Sequence, residues 1–192
     1  MSYETDFQAA LVFSNGIGLK TPRWNIQPRL FLDGDKVRNK LHDVMIDIIG
    51  NPPRIGNLSA QCVPVHTAAI KKVAAIVGTE PVLTFGCVTS ETGDKLFSLT
   101  EDEIQRWLKN GVENPFSLEL HAWLTLSSME IIDFTILPTI TDVQRMKNPA
   151  IKQIGFGVVA KHADALIGMT YKPIAIGNDL TDKLHFSLLI IV

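Results

Sequence analysis

The stretch LELHAWLTLSSMEIIDFT, residues 118–135, decides how this chain is read. Its first half alternates. Leu118, Leu120, Ala122, Leu124 and Leu126 share one side, and Glu119, His121, Trp123 and Thr125 share the other, the pattern of a half-buried strand over 118–126. A turn around Ser127-Ser128 leads into a second strand, 130–135. Side chains alternate with a period of two, so the loop length fixes which residues share a face. A two-residue loop would put Asp133 on the apolar side with Ala122 and Leu124, an unpaired carboxylate in a core and a costly arrangement. A three-residue loop pairs odd-numbered residues with odd. Leu120 then falls near Phe134, Ala122 near Ile132, and His121 beside Asp133, directly opposite or diagonal to it.

Working outward, residues 35–49 carry apolar side chains at helical spacing and stop at Gly50-Asn51-Pro52-Pro53. Residues 60–77 (AQCVPVHTAAIKKVAAIV) read as a second helix, with Cys62, Val65, Ala69, Val73 and Ile76 on one stripe and Gly78 as its stop. Pro64 belongs in a first turn, which places Cys62 at the start of that helix. Residues 81–88 read as a strand. Residues 100–110 read as a surface helix with a Thr100/Glu103 capping box and a Gly111 stop. A short helix is expected at 141–147, and strands near 156–160, 165–176 and 184–192. Residues 7–32, rich in turn signals, read as short strands and loops. These elements predict one α+β domain spanning residues 1–192.

Composition narrows the function. With 192 residues, 46% of them hydrophobic and 20% charged, the chain can bury a core and is not a disordered one. A net charge of −2 without a basic run argues against nucleic acid or an anionic membrane as partner. The opening MSYETDFQAALVF does not read as a secretory signal. A cytoplasmic setting is expected, with the two cysteines, Cys62 and Cys87, as reduced thiols rather than a disulfide. Gly16-Ile17-Gly18 is no phosphate loop, and Asp33-Gly34-Asp35 lacks the rest of a calcium loop. His66, one turn after Cys62, could be half of a metal pair, but no second pair at ligand spacing accompanies it. No cofactor or metal is therefore expected.

Cys62 admits two readings. A lone cysteine on an alanine-rich helix is commonly a small core residue. A helix start also favours the thiolate through its dipole and unpaired N–H groups, which can bind a developing oxyanion. Cys87, within VLTFGCV, reads as core. The His121–Asp133 pair likewise admits a plain surface ion pair, or a carboxylate that orients an imidazole and stabilises its charged form.

Three segments together resemble the transglutaminase-like (papain-like cysteine protease) superfamily, over roughly residues 58–136. Gln61-Cys62 with the alanine-rich helix, Gly78 and the strand after Pro81 resembles its nucleophile helix. His121-Ala122-Trp123 resembles its H-A-W strand, and Asp133-Phe134-Thr135 its D-x-T, often D-P-T, strand. The order Cys, His, Asp is the family order. The resemblance implies a papain-like core, a nucleophile helix packed on an antiparallel sheet, with Cys62 as nucleophile, His121 as general base and acid, and Asp133 as orienting carboxylate. Gln61 and Trp123 would wall the site. It implies a cysteine-dependent acyl-transfer enzyme, hydrolysing an amide in a peptide, a protein or a small molecule. The alternatives are transfer to an amine, acyl-CoA-dependent transfer, and a non-catalytic interaction module. Phe134 stands where the family often has proline, Pro64 follows the cysteine where aromatic or small residues are usual, and the insertion at about 89–117 is long.

Overall fold

The hairpin that follows His121 closes through Met129, whose φ of 62° is the left-handed residue a three-residue loop requires. Leu126 N–H donates to the Glu130 carbonyl at 2.9 Å, and Met129 N–H to the Leu126 carbonyl at 2.9 Å. The computed structural model describes residues 2–50, 58, 61–112, 119–150 and 157–184. Strands β3 (His121–Thr125) and β4 (Glu130–Asp133) pair antiparallel, with Leu124 opposite Ile132 and Thr125 opposite Ile131. Odd-numbered residues face odd, as the cost of a buried carboxylate demands. The register is slid by two residues from one that would set Ala122 near Ile132, so His121 meets Asp133 diagonally.

The remaining elements are α1 (Tyr3–Gly16), α2 (Asp35–Ile49), α3 (Cys62–Val77), β1 (Val82–Ser90), β2 (Lys95–Phe97), α4 (Glu101–Asn110), α5 (Ile136–Lys147), β5 (Val159–His162), β6 (Met169–Ile176) and a short α6 (Leu180–Lys183). The sheet is antiparallel and runs β2-β1-β3-β4-β5, with β6 on the other edge of β1. This is an α+β architecture. Its apolar residues form two cores, one on each face of the sheet. Ala122, Leu124, Ile132 and Phe134 lie in one with Cys62, Val65, Ala69 and Val73 of α3 and Leu41 and Met45 of α2. Trp123 and Ile131 lie in the other with Tyr3, Phe7 and Ala10 of α1 and Tyr171 of β6.

Helices α2 and α4 match their expected spans within a residue, and the Thr100/Glu103 capping box forms on both sides. Two expectations are corrected. Residues 7–16, read as strands and loops, belong to helix α1 (Tyr3–Gly16). Ser2 Oγ accepts the Thr5 N–H at 3.3 Å, and Tyr3, Phe7, Ala10 and Ser14 are buried at helical spacing. Helix α5 starts at Ile136 rather than 141. Pro138 fits its first turn, where no intrahelical N–H bond is needed. Of the strand expected over 184–192, Leu184 instead ends α6 and residues 185–192 lie outside the described residues, as do residue 118 of the first hairpin strand and residue 156 of the strand near 156–160.

Gly86 pairs with His121 on one side and Pro173 on the other, at a register shift in the β1–β6 ladder. A Cβ there would fall inside van der Waals distance of the Lys172 carbonyl oxygen and 2.9 Å from Trp123 Cη2. Neither the sheet backbone nor the buried indole can retreat. Gly86→Ala is expected to cost about 3 kcal/mol, read as a lowered urea midpoint. An unshifted midpoint would show that the strands have room to part.

Candidate active site

Asp133 ends β4, and its fully buried carboxylate accepts bonds on both oxygens. Oδ1 takes the N–H groups of Thr135 at 2.8 Å and Ile136 at 3.0 Å, and the Thr135 hydroxyl at 3.2 Å. These N–H groups belong to the start of α5, so the carboxylate covers unpaired donors and faces the positive end of the helix dipole. That is the local reason for a threonine two residues after the aspartate. Oδ2 takes His121 Nε2–H at 2.5 Å and the Tyr171 hydroxyl at 2.9 Å. Burial opposes the charge, but the imidazolium of His121, its hydrogen bond and the Thr135 N–H prevail. They hold the carboxyl well below the usual carboxylate range.

His121 begins β3 and is 1% exposed. Phe97 of β2 stacks on its ring at 4.7 Å between centroids, and the Trp123 ring flanks it at 6.1 Å. Burial pulls the imidazole pKa down. The Asp133 charge and hydrogen bond, aided by the Cys62 thiol, more than reverse this and raise it to about 10. His121 is thus an imidazolium at neutral pH. Its Nε2 is committed to Asp133, which leaves Nδ1 as the nitrogen available to the thiol.

Cys62 is the first residue of α3 and is 9% exposed, with its side chain in the core under the sheet. Its thiol lies near enough to His121 to act on the charge of the imidazole. Of the three residues singled out from sequence, Asp133 and His121 are hydrogen-bonded, and Cys62 is within electrostatic reach of that ring. Gln61 is the N-cap of α3, but its side chain makes no cap bond; its N–H reaches the Leu58 carbonyl at 3.2 Å. Trp123 is buried beside His121 and donates Nε1–H to the Tyr3 hydroxyl at 2.7 Å. Both thiols are free, and Cys87 Sγ is bound to the Leu99 backbone, 3.0 Å from its carbonyl oxygen and 3.2 Å from its nitrogen.

Three neighbours escaped the sequence reading. Tyr171 and Phe97 arrive on β6 and β2, whose pairing with β1 no local pattern announces. His66 was visible one turn after Cys62, but as half of a metal pair. Instead its Nδ1–H donates to the Cys62 carbonyl at 2.6 Å, and its Nε2 accepts the Phe134 N–H at 3.0 Å. Burial, outweighing the nearby Asp133 charge, lowers its pKa to about 4, so the ring is neutral.

No family model matches the chain, and neither does any curated protein or solved structure. Among the described residues, no helix is long and apolar enough to cross a membrane.

Proposed function

We propose that this protein is a cysteine-dependent acyl-transfer enzyme of transglutaminase-like type, built on a papain-like core, that hydrolyses an amide bond through a thioester. The observation that carries this reading is the buried Asp133–His121 pair with the Cys62 thiol against its imidazole. The thiolate is the attacking form of a cysteine, and the charged imidazole is the counter-ion it would have here. The thiolate adds to the amide carbonyl. The resulting oxyanion is met by backbone N–H groups at the start of α3, where Cys62 and Val63 supply donors and Pro64 has none. His121 passes its proton to the departing amine as the C–N bond breaks, leaving the acyl group on sulfur. Neutral His121 then takes a proton from water, whose oxygen attacks the thioester and expels the thiolate. Asp133 holds the imidazole in orientation and steadies its charge through both halves. The substrate is an amide of a peptide, a protein or a small molecule.

Iodoacetamide at mildly acidic pH, followed by peptide mapping, tests this reading. Cys62 is expected to alkylate at least about tenfold faster than Cys87, and the advantage should persist where ordinary thiols are protonated. A small activated acyl ester should leave an acyl group on Cys62. Equal, slow labelling of both thiols would identify a non-catalytic interaction module instead.

A further inference from the structure

Two histidines face one carboxylate in this site, and only one of them carries charge. His66 Nε2 lies 3.5 Å from Asp133 Oδ1, yet it offers that oxygen no proton. A carbonyl oxygen can only accept and a backbone N–H can only donate. The ring must therefore hold its proton on Nδ1, facing the Cys62 carbonyl, and present a lone pair on Nε2 to Phe134. The imidazole thus spans from the backbone of the cysteine to the backbone of the residue next to Asp133. Its ring also packs on Phe134, with centroids 5.5 Å apart. The charged and titratable groups facing it are Asp133 from β4, His121 from β3 and, on its own helix, Cys62.

Residue 134 bears on this directly. Any residue but proline has an N–H to give there. Phe134 supplies the donor that a proline would lack, and His66 supplies the acceptor. Helix α3 and strand β4 belong to separate parts of the chain, 68 residues apart at this bond. Among the described residues, this is the one hydrogen bond between α3 and the end of β4. A bridge of two directional bonds with no net charge fixes their separation without competing for the Asp133 charge that His121 needs.

We propose that His66 is a positioning residue: as a neutral clamp between the Cys62 carbonyl and the Phe134 N–H, it sets the thiol of Cys62 against the His121–Asp133 pair. This rests on the acyl-transfer reading, and its test separates the two. Cys62 alkylation by iodoacetamide is followed from acidic to neutral pH in the wild type, His66→Leu and His66→Gln, with Cys87 in the same molecule as the control. His66→Leu, which removes both bonds, should slow Cys62 by roughly 10- to 100-fold at mildly acidic pH and leave Cys87 unchanged. His66→Gln, which keeps a donor and an acceptor, should recover most of the rate and the wild-type pH profile.

A second measurement needs no variant. Nitrogen–proton correlation spectra of the wild-type imidazoles should show His66 as the neutral Nδ1–H form at pH 7. The Nε2–H form or an imidazolium there would overturn the clamp, even if His66→Leu does not fold. Fast Cys62 labelling in the wild type that survives unchanged in folded His66→Leu would overturn the positioning role alone. Wild-type Cys62 labelling no faster than Cys87 would overturn the acyl-transfer reading, and this role with it.

Discussion

Asp133→Ala is expected to be the most damaging single substitution in the chain, costing about 3–5 kcal/mol. The carboxylate is the sole described partner of His121 Nε2 and the Tyr171 hydroxyl, and it accepts two N–H groups at the start of α5. Alanine leaves these four donors, and the Thr135 hydroxyl that also gives to the carboxylate, without their acceptor, and each such buried donor forfeits its share of solvation. Set against a typical domain stability of about 5–15 kcal/mol, the loss is large enough to leave a sizeable unfolded fraction. Asp133→Asn is gentler in shape but wrong in polarity. Its amide can present an oxygen to Thr135 and Ile136 only by turning an NH₂ group toward His121 and Tyr171, which are donors already. Urea denaturation at neutral pH reads the stability, and iodoacetamide labelling of whatever remains folded reads the thiol. Both variants should lose the Cys62 advantage over Cys87. An alanine variant as stable as the wild type would show that the carboxylate is not the centre of this network.

Stability should peak near pH 6.5 and fall on either side, for reasons that trace to different histidines. His121 binds its proton more tightly in the folded chain, where its pKa is about 10, than in the unfolded chain, where it is 6.5. Its stabilisation is complete below pH 6.5 and is lost as pH rises through 6.5 toward 10. His66 runs the other way, with a folded pKa of about 4 against 6.5 unfolded. Its contribution is complete above pH 6.5 and is lost as pH falls toward 4, because the unfolded chain takes up a proton that the folded ring refuses. Each limb should amount to on the order of a few kcal/mol, since both rings are fully buried. The ion pair with Asp133 is one interaction, so the carboxylate's own depression is not added to it. Urea midpoints taken between pH 4 and pH 10 check this. His66→Gln should flatten the acid limb and His121→Gln the alkaline one. A stability that climbs steadily toward pH 10 would mean that His121 is not held charged.

The sequence was most legible where one local rule decided the outcome. The parity of the β3–β4 hairpin followed from refusing to bury Asp133 unpaired, and Met129 supplies the loop length that parity needs. The capping box of α4 and the Gly78 end of α3 are equally local. The exact register was less legible, because sliding by two residues keeps every side chain on its face and costs nothing that a pattern can register. Helix α1 was misread because the turn residues Asn15-Gly16, Pro22 and Pro28 coloured the whole of 7–32, whereas Asn15-Gly16 here ends a helix whose buried stripe faces β6 and the back of Trp123. The site was half legible. Cys62, His121 and Asp133 could be named, but no rule of spacing brings α3 to the hairpin. The second donor to Asp133, the ring over His121 and the true use of His66 depend on strand pairings set by the whole sheet.

Helix α1 is synthesised before every strand it packs against. Tyr3 N–H reaches Asp164 Oδ1 at 2.8 Å, and Ser14 Oγ accepts the Ile176 N–H at 2.7 Å, contacts that join residues more than 160 positions apart. Tyr3 also carries the hydroxyl that receives Trp123 and meets Thr125, directly behind His121. A nascent chain that has not yet delivered β6 from the ribosome therefore has no seat for α1 and no Tyr171 hydroxyl for Asp133. Such long-range closure is slow by nature, because the entropy of a large loop must be given up before any contact rewards it. Cys62 is translated well before β6, the last of the described strands, which brings the Tyr171 hydroxyl to Asp133. The order of synthesis thus keeps the Cys62 surroundings incomplete until β6 has been made.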